Sequence, residues 1–186
     1  GEFDLDKFTN EVNARFHKDK GWYSWSNYIK YFLCEWETHL SGMPMTAEQY
    51  ANQSIEHVMP QNPESSGQWM RNQKELGRRF KYVVHDLGNL MLIGIGANKA
   101  IQDIDLKSKA EAYERIHAGK DILKRAGKQF LWSEPQILAR GKIMVDFIRD
   151  HWRLPGQEKG SDYRIEADAI LSTELKPPRK PNSRIF

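Results

Sequence analysis

Leu5, Phe8, Val12 and Phe16 recur at the spacing of one helix face, and Trp25, Ile29, Phe32, Leu33, Trp36 and Leu40 form a second, stronger stripe. Ser24 or Ser26 is placed to cap the second helix, and Gly42 with Pro44 to end it. Aromatic stripes of this kind belong to a packed core, so both helices read as scaffold. Residues Met43 to Ser54 read as a connection. A short extended piece follows, Ile55 to Met59, stopped by Pro60, and then a polar loop from Asn62 to Gly67. Gln68 to Phe80 is expected to hold a short helix with Trp69 and Leu76, and Leu90 to Ile95, between Gly88 and Gly96, a second apolar strand. Leu106, Ala110, Tyr113 and Ile116 share a helical face. The last helix carries the strongest signals. Ser133 and Gln136 make a capping box, Pro135 suits the first turn, and Ile137, Leu138, Met144, Val145, Ile148 and Trp152 form the apolar side.

After Trp152 the composition turns polar, with Pro155 and Gly156 as breakers and a basic, Pro-rich end from Lys176 to Phe186. The expected organisation is a helical extension over 1–22, a main domain over 23–153, and a polar, basic, Pro-containing tail or linker over 154–186. No internal repeat is present. The fold class is mainly α (α+β), a helical domain surrounding a small hairpin-plus-helix unit.

Composition narrows the function only slightly. The 186 residues suit one compact domain with extensions. No apolar run approaches the length of a membrane span, and no secretory signal pattern opens the chain. The single Cys34 excludes an internal disulfide and a cysteine-rich zinc staple, and fits a reducing cytoplasm. A net charge of +3 permits nucleic-acid binding without demanding it. Gly1-Glu2-Phe3 reads as a cloning scar, and the chain as a piece of a longer protein.

The chemistry concentrates between Ile55 and Asn98. Ile55-Glu56-His57-Val58-Met59-Pro60-Gln61 opens the region, and Leu87-Gly88-Asn89-Leu90-Met91-Leu92 resumes it, with Asn98 nine residues after Asn89. Taken singly, a histidine beside a carboxylate is more often structural, and an asparagine after glycine is usually a turn residue. Together they suit phosphodiester hydrolysis, which needs a base for water and a Lewis acid for the phosphoryl oxygens. His57 is the candidate base. Glu56 and the amide oxygen of Asn98 are candidate ligands for Mg²⁺ or Mn²⁺, hard ions that need one or two protein side chains. Asn89 is the candidate that crosses the loop and orients His57.

These segments resemble the HNH (ββα-metal) nuclease motif: an acid–His pair before Ile/Val-x-Pro, then Asn-Leu-x-x-Leu, then a metal-ligand His or Asn. More closely, the chain resembles the C-terminal nuclease domain of GmrSD-type, modification-dependent restriction endonucleases over about Trp25 to Trp152. That family also has a Lys four residues before an aromatic, here Lys109 and Tyr113, and then Trp132, Ile137 and Arg140. The resemblance implies a DNA endonuclease of a bacterial anti-phage system acting in the cytoplasm. It further implies modified phage DNA as substrate and an N-terminal nucleotide-binding module in the parent protein. There are departures. Gly94 and Ala97 stand where many HNH domains have zinc-binding cysteines, so no zinc is implied. Met91 stands where many relatives have Thr, and is read as packing. Glu56 replaces the usual Asp, and its longer arm makes its ligation less secure than the role of His57.

Lys99, Lys109 and Arg140 are candidate grips on the DNA backbone, each equally open to a structural reading. His85 reads as structural rather than phosphate-binding, and His17, His39, His117 and His151 receive no role. The run Arg78-Arg79-Phe80-Lys81-Tyr82 is either a DNA-contacting edge or an ordinary helix end. The rival function is a DNA-binding or protein-interaction module that keeps the fold without catalysis. A metallopeptidase is disfavoured, because no His-Glu-x-x-His helix exists.

Overall fold

A computed structural model describes residues 21–63 and 67–151. The helix expected from Leu5 to Phe16, Trp152 and the basic tail lie outside these residues. Among the described residues the architecture is mainly helical around one two-stranded antiparallel sheet.

Helix α1, Ser26–Ser41, places Ile29, Leu33 and Trp36 in the core, as its stripe dictates. The segment read as a connection holds a short helix, α2, Ala47–Ala51. It buries nothing and so has no apolar period to betray it; its signal is a capping box between Thr46 and Gln49. Strand β1, Gln53–His57, pairs with β2, Leu90–Gly94, so that His57 faces Leu90 and Glu56 faces Met91. The first strand thus ends two residues before the expected Met59. Val58 N–H still donates to the Asn89 carbonyl at 3.0 Å, but both backbone groups of Met59 are taken by the Asn89 side chain, which turns the chain out of the ladder. Ile95 is not the end of β2 but the start of helix α5, Ile95–Ile101, and is exposed.

Helix α3, Gly67–Leu76, is stopped by Gly77, whose positive φ of 53° begins a single 3-10 turn before the short helix α4, Phe80–Val83. The helical run after Leu106 divides into α6, Leu106–Tyr113, and α7, His117–Ala126. Glu37 of α1 accepts the first backbone N–H groups of α7, from His117 at 3.0 Å and Ala118 at 2.8 Å. That carboxylate holds the helix N-terminus against α1. Helix α8, Glu134–His151, shows one arm of the expected capping box: Gln136 Oε1 accepts from the Ser133 N–H and hydroxyl.

β2 is buried on both faces, packed by α1 and α7. The turn leading into it lies directly on α8. A Cβ on Gly88 would overlap the Ile137 carbonyl, so only glycine permits this approach. Among the described residues, no helix is long and apolar enough to cross a membrane.

Candidate active site

The start of β1, not its end, lies against the start of α5: Gln53 pairs with Gly94, and Ile95 N–H donates to the Asn52 carbonyl at 3.1 Å, while His57 sits at the other end of the ladder beside Leu90. Within β1 successive side chains point to opposite faces, and this divides the two residues of the Glu56–His57 pair.

His57 is buried, and each of its ring nitrogens has a polar neighbour. Its Nε2 lies 3.1 Å from His85 Nδ1, and its Nδ1 lies 3.3 Å from the Gln61 amide nitrogen. Tyr23 closes this pocket, edge-on to His57 at 4.6 Å and stacked on His85 at 5.5 Å. With the Gln61 amide nitrogen turned toward it, Nδ1 of His57 is placed to accept, an orientation that goes with the ring proton on Nε2. Burial, followed by the repulsion of His85 and Lys109, lowers the His57 pKa from 6.5 to about 3. His57 is therefore neutral over the physiological range, with a lone pair on Nδ1. An approaching phosphodiester would raise that pKa, because an anion favours the imidazolium.

Glu56 faces the other way. Its Oε1 accepts from Lys109 Nζ at 2.7 Å and from the Tyr113 hydroxyl at 2.9 Å, all three groups being buried. Lys109 Nζ also donates to the Val58 carbonyl at 3.2 Å and the His57 carbonyl at 3.4 Å, which ties α6 to the end of β1. Burial pushes the Glu56 carboxyl up and the Lys109 amine down, each opposed by the partner's charge.

Asn89 has no exposed surface and spends every side-chain group on the backbone and one indole. Oδ1 accepts from Met59 N–H at 2.9 Å and Trp132 Nε1–H at 3.1 Å; Nδ2 donates to the Met59 carbonyl at 2.9 Å and the Val84 carbonyl at 2.8 Å. It therefore touches no substrate, and holds both the chain after His57 and the chain before His85. Asn98 donates from Nδ2 to Ser54 Oγ at 2.9 Å and the Ile55 carbonyl at 3.1 Å, which leaves Oδ1 as its acceptor atom.

Two expectations are corrected by this arrangement. Lys109 and Arg140 do not reach a DNA backbone, because both are fully buried. Lys109 is the partner of Glu56. Arg140 donates from Nη1 to the Gly88 and Leu90 carbonyls, both at 2.8 Å, and from Nε to Asp121 at 3.2 Å, thereby clamping the turn before β2. Glu56 Oε1 is engaged by Lys109 and Tyr113, and Asn98, on part-buried α5, keeps Oδ1 as a neutral oxygen donor of the kind a hard ion takes. Among the described residues no group of three or more His, Cys, Asp or Glu could hold a metal. Lys99 is exposed on α5.

Residues 6–147 match the family described as GmrSD restriction endonucleases, C-terminal domain. The chain belongs to this family. No curated protein and no solved structure gave a match. A nuclease domain of GmrSD-type restriction endonucleases acts on DNA, which gives the His57 pocket its chemical context. Within this GmrSD nuclease domain, the company His57 keeps is not legible in the sequence. His85 stood visible four residues before Asn89, and Gln61 closes the first motif, but neither had been joined to His57. Tyr23 gave no signal, because it lies in a 3-10 turn ahead of the periodic stripe of α1.

Proposed function

We propose that this domain is an endonuclease that hydrolyses DNA phosphodiester bonds, with His57 as general base through Nδ1. The observation that carries the reading is a neutral imidazole at the end of β1, its accepting nitrogen turned toward the exposed Gln61. In the reaction Nδ1 takes a proton from the attacking water while Nε2–H stays bonded to His85. Asn89 and Lys109 keep the end of β1 in place, and Lys99 is the remaining candidate for a backbone contact.

Mg²⁺ or Mn²⁺ is the proposed cofactor, with Asn98 Oδ1 as its protein ligand. The chemistry such an ion supplies when bound is stabilisation of charge on the phosphoryl and leaving oxygens. Family membership supports modified phage DNA as substrate, a bacterial restriction system in the cytoplasm as setting, and a nucleotide-binding module in the whole protein. One observation favours a second reading, a DNA-binding or protein-interaction module without catalysis: the acid of the motif is already neutralised by Lys109.

Incubation with supercoiled plasmid, with and without Mg²⁺ or Mn²⁺, separates the two. The expected result is metal-dependent cutting by the native chain and none by a folded His57→Ala protein. Asn98→Ala should need more metal for the same rate. Undiminished cutting by His57→Ala would remove His57 from the mechanism; DNA binding without any cutting would favour the second reading.

A further inference from the structure

The contact between His57 and His85 links two buried imidazoles across elements far apart in the chain, and nothing in the hydrolysis scheme requires a second histidine. We propose that His85 is a positioning residue: it accepts the Nε2 proton of His57, and so keeps Nδ1 of His57 as the nitrogen that can take a proton from water. This rests on the reading of His57 as the base.

Five observations carry it. The two nitrogens are 3.1 Å apart, so one must donate and the other accept. As the Gln61 amide lies, with its nitrogen beside Nδ1, the matching arrangement has His57 Nε2 as donor and His85 Nδ1 as acceptor. Gln61 cannot maintain this alone, because it is exposed and its amide can turn to present oxygen instead. His85, by contrast, is buried, and its ring lies nearly parallel to Tyr23, with 8° between the planes. The neighbouring backbone is held as well, since Asn89 donates to the Val84 carbonyl and His85 N–H to the Tyr82 carbonyl. The side chain that fixes the proton on His57 is thus itself fixed from both sides. In the opposite tautomer Nδ1 would carry the hydrogen and could accept none.

The test is nitrogen-15 NMR of the His57 ring in the 186-residue chain, alongside steady-state cleavage of DNA. The native protein should show the Nε2–H tautomer. His85→Phe keeps a ring stacked on Tyr23 but removes the acceptor; His57 should then populate both tautomers, and kcat should fall about 10–100-fold with KM little changed. His85→Asn, which places an amide oxygen near the position of Nδ1, should restore the tautomer and most of the rate. A native His57 carrying its proton on Nδ1 overturns the inference, and so does an unaltered tautomer in His85→Phe or His85→Asn lacking Nε2–H. Should His85→Phe not fold, the native and His85→Asn spectra decide it. The two readings fail separately. A tautomer that depends on His85 in a protein that never cuts DNA upholds this inference and refutes the endonuclease; cutting with a tautomer indifferent to His85 does the reverse.

Discussion

At the scale of single residues, Glu56 and His57 show how adjacency in sequence becomes separation in space. The pair sits on an extended strand, where each residue turns its back on the next. Glu56 enters a buried cluster with Lys109 and Tyr113, while His57 enters one with His85, Gln61 and Tyr23. The first cluster makes a distinct prediction. Removing one partner of a buried ion pair leaves the other uncompensated, so Lys109→Met should cost about 3–5 kcal/mol in urea unfolding. Glu56→Gln combined with Lys109→Met should recover much of that loss, because no lone charge then remains buried. A double variant as unstable as the single one would show that Lys109 stabilises through its backbone contacts instead. The site residues were legible as residue types at set intervals; their partners were not, since a partner is chosen by packing across the sheet. Lys109 illustrates this best. A lysine on a helix reads as a surface cation, and only the placement of α6 over β1 makes it an interior one.

Among elements, one side chain joins β1, β2 and α8. Asn89, just ahead of β2, accepts from Trp132 just before α8 and holds both backbone groups of Met59 beyond β1. Asn89→Ala should strand at least three buried partners, at about 1–3 kcal/mol for each group left unmet. The variant should lose stability and turnover together, and hydrogen exchange should quicken first at Val58 and Met59. Full protection there with normal turnover would rule out the clamp. Elements with an apolar stripe and strong punctuation, such as α1 and α8, were readable in advance. Helix α2 was not, because its stability comes from a capping box rather than a buried face. The separation of α6 from α7 was hidden for another reason: the signal at the start of α7 is Glu37, eighty positions away.

For the whole molecule, two titrations pull stability in opposite directions. His57 has its pKa lowered to about 3, so below about pH 6.5 the unfolded chain takes up a proton the folded one refuses. Its contribution is complete above pH 6.5 and is lost as pH falls towards 3. Burial raises Asp86 to about 6 from 3.8, so its contribution is present below pH 3.8 and lost as pH rises through 6. Asp86→Asn retains the acceptor for the Gly88 N–H and should unmask the histidine limb. Its stability should drop on acidification from pH 6.5 to 4 by up to about 1.4 kcal/mol per pH unit, more steeply than the native protein. Parallel curves for the two would refute the opposing pair. The cleavage product is also a property of the whole chain. One His57 serves one scissile phosphate, and the strands of a duplex run antiparallel. A monomer should accordingly nick supercoiled plasmid to open circles before any linear DNA forms, and added salt should slow it. A gel time course with linear product from the outset would indicate a pre-formed dimer.

Local order in the chain determined what depends on neighbours a few positions away: the faces of α1 and α8, the two short strands, the helix after them, and the Asn89–Asn98 interval. Periodicity, caps and turn residues act over one or two turns of chain, so they can be read in a line. Tertiary structure alone decided which charges are spent and which nitrogen is free. Burial of Lys109 and Arg140 depends on helices folding over β1 and the Gly88 turn, and the His57–His85 contact on the end of β1 meeting the turn after α4. Desolvation and hydrogen bonding at those meetings set the charge and proton position of each group, and neither has any counterpart in sequence spacing.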